Sequence, residues 1–169
     1  MKKLLVILSL TVLFGMTNCA SLQPLKIESN KVCPLCGMYP ARYPRFNCQI
    51  VFSDGSHEAF DSAAGLLVYL FFPDNTKIQL KPIAGIYFKD YLEDIWIEAG
   101  KTFFVAGSEI MGPMGIEFLA VDSEQAAKIL KKQEQGQDII PYMKIDRQVM
   151  IKAAKAGWLH FLAKKLVLK

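Results

Sequence analysis

Asn47-Cys48-Gln49-Ile50-Val51-Phe52-Ser53-Asp54-Gly55-Ser56-His57-Glu58-Ala59-Phe60-Asp61-Ser62 reads as strand, turn, strand and helix start in succession. Ile50, Val51 and Phe52 are the β-branched and aromatic residues of a buried strand. Asp54-Gly55 is a two-residue hairpin signal, and His57 to Phe60 is the return strand. Asp61 then fits a helix N-cap, and the run Ala63 to Phe72 is apolar almost all round, so that helix must be buried on most sides. Pro73-Asp74-Asn75 stops it, and Lys77 to Ile83 reads as a third strand.

The second half of the chain has the same grammar. Ile86-Tyr87-Phe88, Ile95-Trp96-Ile97, Thr102 to Ala106 and Ile116 to Val121 read as strands. Asp122 fits the cap of a helix over Ser123 to Gln135, with Gln125 in the capping-box position. Asp138 to Ile145 is a closing strand. Phe60-Asp61-Ser62 aligns with Val121-Asp122-Ser123 at an offset of 61 residues, which predicts an α+β fold of two β-β-α-β repeat units, over 33–83 and 84–145. Each unit would be marginal alone, so the two are expected to share a core.

Both flanks differ in character from this body. Met1-Lys2-Lys3 and the apolar run Leu4 to Phe14 have the layout of a secretory signal peptide, too short for a membrane span of about 20 residues. Cys19 follows directly, as in a bacterial lipobox, which makes residues 1–18 a leader, Cys19 the lipid-bearing first residue and 19–32 a polar tether. The location expected is extracytoplasmic and membrane-anchored, on the periplasmic side, with Ala20 favouring the outer membrane. At the other end, 146–169 reads as a basic, partly amphipathic helix carrying Arg147, Lys152, Lys155, Lys164, Lys165 and Lys169. It either packs on the domain or meets an anionic membrane or partner protein.

The 169 residues are 52% apolar and 21% charged, which excludes a disordered chain. Without Lys2 and Lys3 the 20 basic groups fall to 18 against 16 acidic ones, a net charge of +2 that gives no footprint for nucleic acid. There is no phosphate-binding loop, no nucleophile motif and no carboxylate pair beside a histidine. The chain reads as a binding protein and not as an enzyme. Asp90, Glu93, Asp94 and Glu98 read as a solvated edge.

The chemistry concentrates in Cys33-Pro34-Leu35-Cys36-Gly37-Met38, three sulfurs within six residues. Four readings compete for it. A thioredoxin-like redox pair, acting as a thiol–disulfide oxidoreductase, should open a helix, which Pro40 and Pro44 oppose. A zinc site needs four ligands, for which Cys48 and His57 are the available additions, although Cys48 fits a strand core and His57 a surface turn. A Cys33–Cys36 disulfide is compatible with an oxidising compartment. Thiolate with thioether suits Cu(I). Glu109-Ile110-Met111-Gly112-Pro113-Met114-Gly115 adds two more thioethers in a loop between strands.

Cys-x-x-Cys-Gly-Met near the start of a lipoprotein, followed by Val105-Ala106-Gly107-Ser108 and then Met-Gly-Pro-Met-Gly, resembles the NosL family over Cys33 to Ile145. The resemblance implies two β-β-α-β units, Cu(I) as cofactor or cargo, and delivery of copper to apo nitrous-oxide reductase. It also implies the NosDFY membrane transporter complex as a partner. By the same resemblance Cys36 and Met38 are the first ligand candidates, Cys33 the next, and Met111 and Met114 further ones. Many members of the family carry a histidine just after Met-Gly-Pro-Met-Gly, where this chain has Ile116. A lipoprotein for some other heavy metal is the alternative to a copper carrier.

Overall fold

The computed structural model describes residues 23–73 and 81–159. The hairpin read from the sequence is present: β1 (Cys48–Phe52) pairs antiparallel with β2 (His57–Phe60), Cys48 opposite Phe60 and Val51 opposite His57. Its connection is one residue longer than Asp54-Gly55 suggested. Phe52 N–H reaches Ser56 O across the loop Ser53-Asp54-Gly55, and Gly55 takes φ +80, the left-handed step such three-residue loops need.

β1 has β3 (Ile83–Lys89) on its other side, followed by β4 (Trp96–Glu98), so the first sheet runs β2-β1-β3-β4. Central and covered on both faces, β1 is buried at all five positions, which is why it reads as a continuous apolar run and not an alternating one. Two expectations shift here. The strand paired with β1 begins at Ile83 where one was expected over Lys77 to Ile83, of which 77–80 lie outside the described residues. Ile86-Tyr87-Phe88 and Trp96, expected in the second unit, belong to this first sheet.

Between β2 and β3 stands α1 (Ala63–Phe71), buried from Ala63 through Tyr69. Its N-cap is Ser62, not Asp61: Ser62 Oγ accepts the Gly65 N–H at 3.0 Å. The same correction holds in the second half, where Ser123, not Asp122, caps α2 (Glu124–Gln133) by accepting the Ala126 N–H, so Gln125 is not in the capping-box position.

The second sheet has the order β8-β5-β9, from β5 (Phe103–Ala106), β8 (Leu119–Val121) and β9 (Asp138–Pro141), with α2 between β8 and β9 in sequence. Between β5 and β8 the expected loop forms a small hairpin, β6 (Met111–Gly112) and β7 (Gly115–Ile116). α3 (Arg147–Lys155) is capped by Asp146 and turns Met150, Ala153 and Ala154 into the core, leaving Lys152 and Lys155 exposed. The basic helix therefore packs on the domain as far as it is described; residues 160–169 lie outside the described residues. The fold is mixed α+β, with three helices among the described residues.

One core spans both sheets. Phe88 on β3 meets Phe104 on β5 edge to face, centroids 4.9 Å apart, with Phe118 and Tyr142 around them. A second cluster, Val105, Leu119, Val121, Ala127 and Leu130, seals α2 to its sheet. The chain before β1 is not a free tether: Leu25 exchanges two hydrogen bonds with the Gln49 side chain, at 2.9 and 3.0 Å. Asp90 is also no solvated edge, because it is buried and accepts the backbone N–H groups of Leu92, Glu93 and Asp122. Among the described residues no helix is long and apolar enough to cross a membrane.

Leu130→Ala, which empties a fully buried site under α2, is expected to cost about 2–5 kcal/mol in denaturant unfolding, against about 1 kcal/mol for loss of the Ser123 cap in Ser123→Ala. Equal losses would show that α2 is not held by its apolar face.

Candidate metal centre

The Cys33 to Met38 segment closes on itself. Cys33 N–H donates to Met38 O at 2.7 Å and Gly37 N–H to Cys33 O at 2.9 Å. Gly37, at φ +80, makes this turn possible. Pro40–Arg42 and Pro44–Phe46 follow as short 3₁₀ turns, so the prolines do prevent a helix after the motif. Leu35 rests against Gly65 in the first turn of α1. The loop is thereby held at the junction of β2 and α1.

At that junction lies Asp61, whose place in the sequence suits the cap of α1. With Ser62 capping α1, the Asp61 carboxylate faces the motif instead, and Cys36 Sγ lies 3.2 Å from its Oδ1. Cys33 Sγ, Cys36 Sγ and an Asp61 oxygen all fall within 4.8 Å of one another. Cys33 is 2% exposed and Asp61 buried, while Cys36 is half-buried, so the group has a closed side and an open one. Cys33, Cys36 and Cys48 are free thiols.

The electrostatics follow from this packing. The Cys33 thiol donates to Cys36 sulfur, which pushes Cys33 well above the usual thiol range; burial and Asp61 add to the rise. The same hydrogen bond lowers Cys36, against burial. Cys36 is thus the more readily ionised sulfur. Asp61 Oδ2 is buried without a hydrogen-bond partner, a cost that a cation among these donors would offset.

The other candidates are spread around this group. Met38 is half-buried and packs, with Cys36, against the core that contains Cys33. Met114, 5% exposed, lies in that same core, whereas Met111 on β6 is 68% exposed. One of the two loop thioethers is therefore ordinary core and the other stands in solvent. Cys48 is buried on β1 and donates to Ser62 O at 3.1 Å, as a strand core residue would. His57 lies by Glu28, 3.8 Å away, and burial lowers its pKa. Neither belongs to the cluster. Cys19 lies outside the described residues.

Glu117 is a buried neighbour of this group that the sequence pattern barely marks. It is fully buried just after β7, its Oε2 accepting from Ser62 Oγ at 3.1 Å. Burial pushes its carboxyl up to about 8, against the hydrogen bonds from Ser62 and from the Met114 and Ala64 backbone that favour ionisation. The available signals were slight: an acid between Ile116 and Phe118, and two cap-capable residues in tandem at Asp61-Ser62 where one cap is needed.

The sequence profile of the family described as NosL matches residues 24–150. The chain is 26% identical over 171 residues to the copper-binding lipoprotein NosL of Stutzerimonas stutzeri, covering 91% of this chain and 87% of that one. Its fold is similar to the crystal structure of the copper chaperone NosL from Shewanella denitrificans, with a TM-score of 0.64 and 21% identity over 75% of this chain and 97% of the other.

Glu117 makes the copper-free fold pH-sensitive. Its carboxyl stays protonated to about 8 in the folded chain but ionises near 4.5 when unfolded, so the folded state binds the extra proton between those values. Stability therefore falls as pH rises through that interval. Thermal melts followed by circular dichroism should show Tm dropping from pH 5 towards pH 8. Glu117→Gln should flatten the drop, and equal slopes in both proteins would refute the assignment.

Proposed function

The chain belongs to the NosL family of copper-binding lipoproteins and copper chaperones, a non-enzymatic family, and from that premise we propose that it is a membrane-tethered carrier that holds Cu(I) and delivers it for assembly of the copper centres of nitrous-oxide reductase. The convergence of Cys33, Cys36 and Asp61 within 4.8 Å is the observation that carries this reading. Two sulfurs favour a soft monovalent ion over the harder divalent ones. Cys36 is the principal ligand, ionised more easily than Cys33 and reachable from solvent. Cys33 and Met38 complete the sulfur set, and Asp61 adds a carboxylate oxygen beside them. The exposed Met111 is the auxiliary thioether of the loop pair, while Met114 stays packed in the core.

Transfer by such a site is ligand exchange. A partner's sulfur or imidazole enters on the open side at Cys36 and the ion passes through shared ligands. The partners in this reading are apo nitrous-oxide reductase and the NosDFY transporter complex. Lipid on Cys19 tethers the chain to the extracytoplasmic face of the membrane, where the exposed Lys152 and Lys155 of α3 can meet anionic headgroups. Its body is two units of one β-β-α-β plan, the first sheet extended by β4. The equivalent N-caps Ser62 and Ser123, and the sheet orders β2-β1-β3 and β8-β5-β9, support that plan.

Competition titration with a chromogenic Cu(I) chelator tests the site. Asp61→Asn is expected to weaken binding by about 10–100-fold, as loss of a group that orients or adds to a ligand does. Cys36→Ser should weaken it further, and Met38→Leu less. Wild-type affinity in both Cys36→Ser and Met38→Leu would reject the carrier site.

A further inference from the structure

Glu117 connects the β6–β7 hairpin to the metal donors by a route that sequence separation conceals. Its partner Ser62 comes from 55 residues earlier, caps α1 and follows Asp61, which faces Cys36. Glu117 itself directly follows β7, so its hydrogen bond to Ser62 ties the end of the hairpin to the N-terminus of α1. One buried side chain thus holds both segments together.

The fit is close. Gly112 in β6 lies directly on the Glu117 side chain, where a Cβ would collide with Cγ. Glu117 Oε1 has no hydrogen-bond partner, so the fold bears the cost of a half-satisfied buried carboxyl at this point. Packing alone gives no reason for that cost, since an apolar side chain of similar volume would fill the space as well. What the acid adds is a directional tie between the methionine hairpin and the N-terminus of α1, beside the cluster.

Resting on the carrier reading above, we propose that Glu117 is a positioning residue that latches the Met111–Ile116 hairpin to Ser62 beside the Cys33, Cys36 and Asp61 donors, and that this latch governs how fast copper is released. With the latch made, the hairpin restricts the approach of competing ligands. A partner that displaces the hairpin, taking hold of it at the exposed Met111, opens the donors and receives the ion. Affinity is set by the sulfurs, and the rate of exchange by the hairpin.

The full chain loaded with one Cu(I) and mixed with excess chromogenic chelator in a stopped-flow instrument gives the release rate. Glu117→Ala is expected to speed release by about tenfold or more, as loss of a supporting group around a metal site does. Gly112→Ala should do the same by wedging hairpin and acid apart, and it decides the matter should Glu117→Ala not fold. Glu117→Gln, which can still accept a backbone N–H and pair with Ser62, should release at close to the wild-type rate. Leu130→Ala, in the separate cluster under α2, should lower Tm and leave release unchanged. Release at the wild-type rate from Glu117→Ala and Gly112→Ala overturns the latch alone. So does a Gln variant as fast as the Ala variant, or equal acceleration by Leu130→Ala. A wild-type chain that holds no Cu(I) overturns the carrier reading and the latch with it.

Discussion

Ser62 is the residue through which the rest of the site is assembled. Its Oγ accepts the Gly65 N–H that starts α1 and donates to Glu117 Oε2, while its carbonyl accepts the Cys48 thiol. A helix N-terminus has four unpaired N–H groups and takes the cap that geometry offers. Because a serine does it here, the neighbouring aspartate is released from the helix. Asp61 is then buried at the strand–helix junction with its carboxylate turned to Cys36. The second half shows the contrast. Ser123 caps α2 in the same way, but Asp122 is exposed, its backbone N–H held by Asp90, and among the described residues no cysteine loop faces it. An Asp-Ser pair thus leaves its carboxylate buried against a thiol or exposed at the surface, according to what packs on it.

The loop that meets Asp61 can be short because the scaffold under it does not move independently. Phe88 and Phe104 lock the two sheets edge to face, and α3 adds Met150, Ala153 and Ala154 to the same core. Cys33 belongs to that core, so one of the two sulfurs is placed by packing and not by the loop's own conformation. Cys36, three residues on, is held more lightly: by the turn at Gly37, by Asp61 and by the other thiol. A rigid sulfur beside an adaptable one is an arrangement in which an ion can be retained while one of its bonds is exchanged.

Local pattern made much of this legible. The first hairpin, α1, α2 and the cysteine motif all follow from turn residues, apolar runs and spacing. The misreadings occur where a tertiary contact decides among locally equivalent choices. Asp61 and Ser62 are both good caps locally, as are Asp122 and Ser123, and in both pairs the serine takes the helix; what the loop at Cys36, 25 residues earlier, decides is where the freed Asp61 carboxylate points. Ile86-Tyr87-Phe88 is a good strand in either half, and its pairing with β1 is a non-local fact. Glu117 carries only a slight local signal, because its partner is 55 residues away and an isolated acid beside a strand is usually solvated. Of the two loop methionines, which faces the core depends on the hairpin geometry at Gly112 and Gly115.

The composition of the donor group bears on why such a site would pass its ion onward. Four thiolates in a closed tetrahedron hold a metal as a structural element, with no position for an incoming ligand. Here the described donors are two sulfurs and a carboxylate, and a carboxylate is a hard and weak partner for Cu(I). On the carrier reading Asp61 therefore contributes little bond strength. It contributes negative charge in a buried place, and an acceptor that fixes the direction of Cys36. A soft ligand arriving from a partner would displace an oxygen more easily than a sulfur. On the proposed reading, the weakest bond is then the first to be exchanged, and Cys33, the more buried of the two sulfurs, is the last to let go.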